Sequence, residues 1–318
     1  MQKKLILTVA LATALSTFTA ASNAKDRYHV KLRHAAKPAA TKHLHAVRKH
    51  YAPTEETVAH LALKSSSALV LDQRNGSVLY SKNANEQRPI ASITKLMTAM
   101  VVLDANLPLE ERITVEPEDV DTLRGSGSRL AVGTTLTRRE MLQLALMSSE
   151  NRAASALGRN YPGGIRAFVA AMNRKAQQLG MSNSRFADST GLHSANVSTA
   201  NDLSKMVKAS YHYSLIRAIT TTPEYEVALP NRTLEYRNTN ALVRTGQWDI
   251  GLSKTGFINE AGHCLVMQAK IAHRPTIIVL LDSLGKNSRL GDANRIKKWL
   301  EASAPAFTAR SKSLASNS

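Results

Sequence analysis

The run from Pro89 to Leu103, PIASITKLMTAMVVL, constrains this chain most: it has helix-forming composition, is apolar almost all the way round, and carries one charge, Lys95. A helix that is hydrophobic on every side is a buried helix, and lysine is seldom fully buried unless its site requires it. Ser92 lies three residues earlier, one turn away on the same face. The spacing predicts a hydroxyl and an amine side by side at the first turn of a buried helix. There the helix dipole disfavours an ammonium and desolvation lowers the lysine pKa. A neutral amine beside a hydroxyl is a general base beside a nucleophile. For the pair alone the plainer reading is heavier: an N-cap serine followed by a lysine whose amine snorkels to solvent.

Two further stretches shift that balance. Met147-Ser148-Ser149-Glu150-Asn151-Arg152 follows a helix opened by the capping box Thr137-Arg138-Arg139-Glu140, and it sets Ser149 and Asn151 two residues apart in a loop of the helical region. Ser149 is suited to relay a proton and Asn151 to hydrogen-bond a substrate amide. Gly251-Leu252-Ser253-Lys254-Thr255-Gly256-Phe257 falls on a predicted strand. Lys254 is expected to depress the Lys95 pKa further and to attract a carboxylate. Gly256, lacking a side chain, is expected to let a substrate backbone lie along the strand edge. Each stretch alone has an ordinary explanation, as loop chemistry or a strand-to-turn exit. The ordered set S-x-x-K, S-x-N and K-T-G is the three-part signature of penicillin-binding proteins and class A β-lactamases.

The remaining chain supplies a frame. Ser67–Asp72 and Ser77–Tyr80 flank an Asn75-Gly76 turn and predict an antiparallel hairpin. Helical patterns follow at 152–157, 165–179 and 199–219, strands return at 250–257, 264–272 and 276–281, and an amphipathic helix over 288–301 carries Leu290, Ile296, Trp299 and Leu300. Strands at both chain ends with helices between them imply an α+β domain over 63–301, one antiparallel sheet with a mostly helical subdomain at 107–219 inserted into it.

Outside that domain, Lys3-Lys4, the apolar run Leu5–Leu15 and Ser22-Asn23-Ala24 read as a signal peptide over 1–24. No later run reaches the roughly 18 apolar residues of a membrane span. The formal charge of +18 is concentrated: residues 25–50 hold eight Lys/Arg and five His against one acid, Asp26. The stretch 25–62 therefore reads as a basic, disordered arm suited to contact with an anionic wall polymer or membrane, and the small polar tail 302–318 as disordered. Nucleic acid is not expected as a partner, since no binding module is recognisable. His43-Leu44-His45 lacks companion ligands for a metal. Cys264 is the only cysteine, which excludes an internal disulfide.

On the three motifs, and on Phe186-Ala187-Asp188-Ser189-Thr190-Gly191-Leu192, Ser198–Leu203 and Ala261-Gly262-His263-Cys264-Leu265, the chain resembles the low-molecular-mass penicillin-binding proteins that act as D-alanyl-D-alanine peptidases. Ser149-Glu150-Asn151 and Lys254–Phe257 look most like the endopeptidase branch, of the penicillin-binding protein seven type. The resemblance implies a β-lactamase/transpeptidase-like fold and a periplasmic serine hydrolase whose partners are peptidoglycan stem peptides and β-lactam antibiotics. It implies Ser92 as nucleophile, Lys95 as its base, Ser149 and Asn151 as the second catalytic element, and Lys254, Thr255, Gly256 and Phe257 as the substrate-binding strand. It also implies an oxyanion hole from the Ser92 and Phe257 N–H groups, with no metal or organic cofactor. Three other readings remain. A D,D-carboxypeptidase would share the acylation step. A class A β-lactamase would carry an E-x-x-L-N loop, which is not found. A non-catalytic wall-binding protein would have no need of Lys95.

Overall fold

A computed structural model describes residues 61–315, so the expected signal peptide and nearly all of the basic arm lie outside the described residues. The Asn75-Gly76 hairpin forms as predicted, β1 (Ser65–Asp72) and β2 (Val78–Lys82), with Gly76 at φ +71° where the turn needs a left-handed residue. After a two-residue strand, β3 (Arg88–Pro89), the chain makes a 3-10 turn over Ala91–Ile93 and enters α1 (Thr94–Asp104). Ser92 thus sits in the tight turn just before the α-helix.

The inserted stretch contains the short ladder β4 (Arg112–Thr114) with β5 (Thr135–Thr137), then α2 (Arg138–Met147), α3 (Asn151–Arg159), α4 (Gly164–Gln178) and β6 (Val197–Ser198), which pairs with β3. The capping box holds in full. Thr137 Oγ1 accepts from Glu140 N at 3.1 Å, and Glu140 Oε2 accepts from Thr137 N at 2.7 Å. The pattern over 199–219 divides into α5 (Ala200–Ser210) and α6 (Ser214–Thr220). The break falls at Tyr211-His212-Tyr213, three weak helix formers, and the Tyr213 hydroxyl donates to Asp104 Oδ1 at 2.6 Å.

A hairpin that the sequence reading did not identify follows, β7 (Glu224–Leu229) and β8 (Arg232–Arg237). Only Val227 and Tyr236 of its strands are fully buried, so it has little hydrophobic pattern to read. After a single turn, α7 (Ala241–Arg244), come β9 (Asp249–Ile258), β10 (Gly262–Ile271), β11 (Arg274–Ser283) and α8 (Lys286–Ala315). The helix runs past Glu301 and through most of the tail expected to be disordered. Ala302, Ala304, Ala306 and Ala309 favour helix there and Pro305 opposes it, so propensity alone does not account for the extension.

The sheet has the order β2-β1-β11-β10-β9 with every pair antiparallel, so the two chain ends build it together. Both faces are covered. Leu69, Val266, Val279 and Leu281 pack toward the helices around α1, while Ala68, Val70, Leu265, Met267, Ile278 and Leu280 pack toward Ile296 and Leu300 of α8. Two-sided burial explains the nearly continuous apolar runs in β10 and β11. Strand β9 is the edge, and the site forms where it meets the turn before α1. Among the described residues no helix is long and apolar enough to cross a membrane.

Candidate active site

Register and pleat decide what each residue of Lys254-Thr255-Gly256 can reach. Lys254 pairs with Val266 and Gly256 with Cys264, whose side chains belong to the helix-facing core, whereas Thr255 pairs with Leu265 on the opposite face. Lys254 and Gly256 therefore point into the junction with the helices. A Cβ on Gly256 would lie 2.9 Å from Ile90 O and 3.0 Å from Ser92 N. Glycine is needed here because the strand presses against the turn that carries Ser92. This packing gives glycine a second reason at 256, beside the expected clearance for a substrate backbone, since Gly256 also lines the cleft.

The other side of that turn is just as close. Gly191, at φ +83°, approaches so that a Cβ would fall 2.0 Å from Ala91 O. The turn before α1 is gripped between two glycines, and Ala91 within it takes φ +47°. Ser149 likewise adopts φ +63°, and its hydroxyl meets Lys254 of β9. Left-handed conformations at non-glycine residues cost of order 1–3 kcal/mol and gather at functional sites.

Lys95 is fully buried, and its Nζ has three neighbours: Ser92 Oγ at 2.8 Å, Asn151 Oδ1 at 2.7 Å and the Thr190 carbonyl at 2.7 Å. Two of these oxygens can only accept. A neutral amine has two N–H groups, which go to Asn151 and Thr190. Its lone pair is left to the one neighbour that can donate, the Ser92 hydroxyl. Ser92 Oγ is 3.5 Å from Thr190 O, too long to hold the proton elsewhere. Burial lowers the Lys95 pKa to about 7, against the opposing pull of the Asp188 and Glu150 carboxylates.

The groups around Lys95 are held by their own partners. Asn151 Nδ2 donates to Ser126 Oγ at 2.9 Å, which fixes the amide with its oxygen toward Lys95. Asp188 accepts from Thr190 N and Gly191 N at 2.6 Å, from Thr190 Oγ1 at 2.9 Å and from His193 N at 2.8 Å, so one carboxylate moulds the loop that presents the Thr190 carbonyl. Lys254 Nζ donates to Ser149 Oγ at 2.9 Å and to Thr255 O at 2.8 Å. Its pKa is lowered well below the ordinary lysine value, by burial first and then by the charges of Lys95 and Arg289. Burial is the largest cause for both amines, and their mutual repulsion further disfavours a charge on each of the pair.

Ser92, Ser149, Asn151, Thr255, Gly256 and Phe257 line one cleft of about 730 Å³, with the two lysine amines buried behind it. Phe257 is half exposed and stacks on His263 at 4.3 Å between ring centroids. All eight residues named from the sequence are thus brought together. Four contributors were not named in a site role. The Thr190 carbonyl is a backbone atom, which side-chain motifs do not reveal. Ser126 lies in the small-residue loop Gly125-Ser126-Gly127. Thr239 Oγ1 accepts from Thr255 Oγ1 at 2.7 Å. Arg289, 5% exposed on α8, donates to Gly256 O at 3.4 Å and Cys264 O at 3.1 Å. An arginine on the sheet-covering face of an amphipathic helix was the signal for it.

Comparisons with known proteins agree with this geometry. The family model described as D-alanyl-D-alanine carboxypeptidase (peptidase S11) matches residues 54–285. The chain is 55% identical over 241 residues to a D-alanyl-D-alanine endopeptidase of Pseudomonas aeruginosa, covering 75% of this chain and 78% of that one. It is 48% identical over 247 residues to a D-alanyl-D-alanine endopeptidase of Escherichia coli K12, covering 77% and 80%. Among solved structures, the Streptomyces K15 DD-transpeptidase superposes with a TM-score of 0.70 at 30% identity, covering 74% of this chain and 97% of that one.

Proposed function

The chain belongs to the D-alanyl-D-alanine carboxypeptidase family, peptidase S11, and on that premise we propose that it is a periplasmic serine D,D-peptidase, a D-alanyl-D-alanine endopeptidase that hydrolyses peptidoglycan crosslinks. The observation that carries the reading is the Lys95 amine 2.8 Å from Ser92 Oγ, its two N–H groups claimed by acceptors that cannot donate. Similarity to two endopeptidases over three quarters of the chain supports this branch over the carboxypeptidase one.

In the proposed reaction, neutral Lys95 removes the Ser92 hydroxyl proton as Oγ bonds to the D-alanyl carbonyl carbon. The developing oxyanion is met by the N–H groups of Ser92 and Phe257, a pairing supported by the closeness of Gly256 to Ser92 N. The proton passes by way of Ser149 and Lys254 to the leaving amine, and the C–N bond breaks. Water then cleaves the ester and returns the proton to Ser92. Because β-lactams present a comparable carbonyl, they acylate the same serine.

Base catalysis by Lys95 fixes a pH profile. With its pKa at about 7, the second-order rate of acylation by a β-lactam is expected to be level above neutrality and to fall tenfold per pH unit below about pH 7. A rate that stays level down to pH 5 would remove Lys95 from the role of base.

Substrate branch is tested by incubating the protein with crosslinked muropeptide dimers and with pentapeptide monomers, then reading products by mass. Dimers should be converted to monomers with terminal D-Ala retained. Release of D-Ala from pentapeptides with dimers left intact would assign the carboxypeptidase reaction instead.

A further inference from the structure

Every ionisable side chain lining the cleft is basic: Arg124, Arg237, Arg244, His263 and Arg289, with no Asp or Glu among them. Their engagements differ. Arg124 pairs with Glu260 at 3.0 Å and donates to the Leu192 carbonyl, so its charge is answered within the protein. Arg289 donates to the carbonyl of Gly256, the residue that packs against Ser92, so it belongs to that end of the cleft.

Arg237 and Arg244 have no part in that arrangement, and both are exposed. They hang on one fixed residue. Asn238 is buried and held by its Nδ2 to Thr220 O at 3.0 Å and Thr222 O at 2.9 Å. Arg237 precedes it directly, and Arg244 Nη1 donates to its carbonyl. Among the described residues Arg244 meets no carboxylate. Arg237 meets Glu224 at 3.3 Å through side chains 68% and 63% exposed, a surface pair that a ligand can displace at little cost. The next residue, Thr239, touches Thr255. The segment that carries both guanidinium groups thus joins the cleft wall at Thr255, and both side chains line the cleft.

A guanidinium with free N–H groups is suited to a carboxylate, which it can take in bidentate fashion. A substrate that ends just after the scissile bond brings one carboxylate, and the Thr255–Arg289 end can answer it. A crosslinked substrate continues past that bond into a second peptide, which brings further carboxylates to the leaving side. We propose that Arg237 and Arg244 form a second carboxylate subsite that grips the leaving peptide of a crosslinked substrate. The proposal rests on the endopeptidase reading and adds the residues by which the cleft distinguishes a crosslinked peptide from a terminal one.

The test uses two synthetic crosslinked peptides that differ only in whether the outer carboxylates of the leaving strand are free or amidated. The wild type is expected to cleave the free form with a kcat/KM about tenfold or more above the amidated form. The double variant Arg237→Ala/Arg244→Ala should lose about 10–100-fold on the free form and little on the amidated one. β-Lactam acylation, which involves only the Ser92 end, should stay within about twofold and report that the variant is folded. Arg244→Gln, a single change at an exposed side chain, serves should the double variant fail to fold, with a smaller loss in the same pattern. Equal losses on both substrates, no loss on either, or no discrimination by the wild type would overturn the subsite alone. Wild-type protein that accepts β-lactam but cleaves neither substrate would overturn the endopeptidase reading and the subsite with it.

Discussion

Lys95→Met is expected to slow acylation of Ser92 by about 10²–10⁴-fold, the usual contribution of a general base, while leaving the protein at pH 7 about as stable as the wild type or more so. Stability and activity part here because the amine is fully buried with its pKa near 7 instead of the ordinary 10.5. The unfolded chain therefore binds the proton more tightly than the native one. Native stability falls as the pH drops from 10.5 toward 7, and the full cost, about 5 kcal/mol, is present below pH 7. Methionine fills similar volume and removes that cost. Against this, Asn151 Oδ1 and the Thr190 carbonyl lose their donor, at about 1–3 kcal/mol each. The balance at pH 7 runs from about 1 kcal/mol against the variant to about 3 kcal/mol in its favour. Above pH 10 the wild-type cost disappears and the orphaned acceptors make the variant the less stable protein. Urea unfolding of both at pH 7 and pH 10 checks the crossover. A wild type more stable by the same margin at both pH values would show that Lys95 carries no such cost.

Gly191→Ala is expected to cost about 2–5 kcal/mol and to cut acylation by about 10²-fold. Its φ of +83° strains any L side chain, by roughly 1–2 kcal/mol. Its Cβ would also fall 2.0 Å from Ala91 O and 2.4 Å from Ala91 C. Those are backbone atoms, so no rotamer change relieves the clash, and overpacking adds about 1–3 kcal/mol. Relief must come from moving either the loop that presents the Thr190 carbonyl or the turn that carries Ser92. A shift of about 1 Å in a reacting group costs on the order of 10²-fold in rate. Gly256→Ala presses the same turn from the sheet side, with contacts at 2.9 and 3.0 Å, and should follow the same direction with smaller effects. Melting temperature and β-lactam acylation rate measured together test the ordering. A Gly191→Ala protein with wild-type values of both would mean that the turn has room to yield.

What the sequence disclosed was what side chains and periodicity carry. The Ser92–Lys95 spacing, the Thr137–Glu140 capping box, the Asn75-Gly76 turn and the apolar runs of β10 and β11 are local signals, and each formed as expected. The Lys254-Thr255-Gly256 stretch was located correctly, yet the tight approach of Gly256 to Ser92 was not legible because it joins segments far apart in the chain. The same limit hid the Thr190 carbonyl, which no side chain announces. The break at Tyr211–Tyr213 and the hairpin β7–β8 escaped for another reason. One interrupts a pattern that remains helical on both sides, and the other is mostly exposed.

The sheet order β2-β1-β11-β10-β9 also bears on when the molecule becomes a hydrolase. Its first strand meets its last, and Ser65 is tied to Asp292 across 227 positions of sequence. A nascent chain that has already exposed Ser92, Lys95, Ser149 and Asn151 holds half a site. Lys254 is seated only when β9 can rest on β10, β10 on β11 and β11 on β1. Such long-range pairing is slow to nucleate, so catalytic competence arrives late and in one step. A chain that stops before β11 is expected to leave Lys254 unseated and to be inactive.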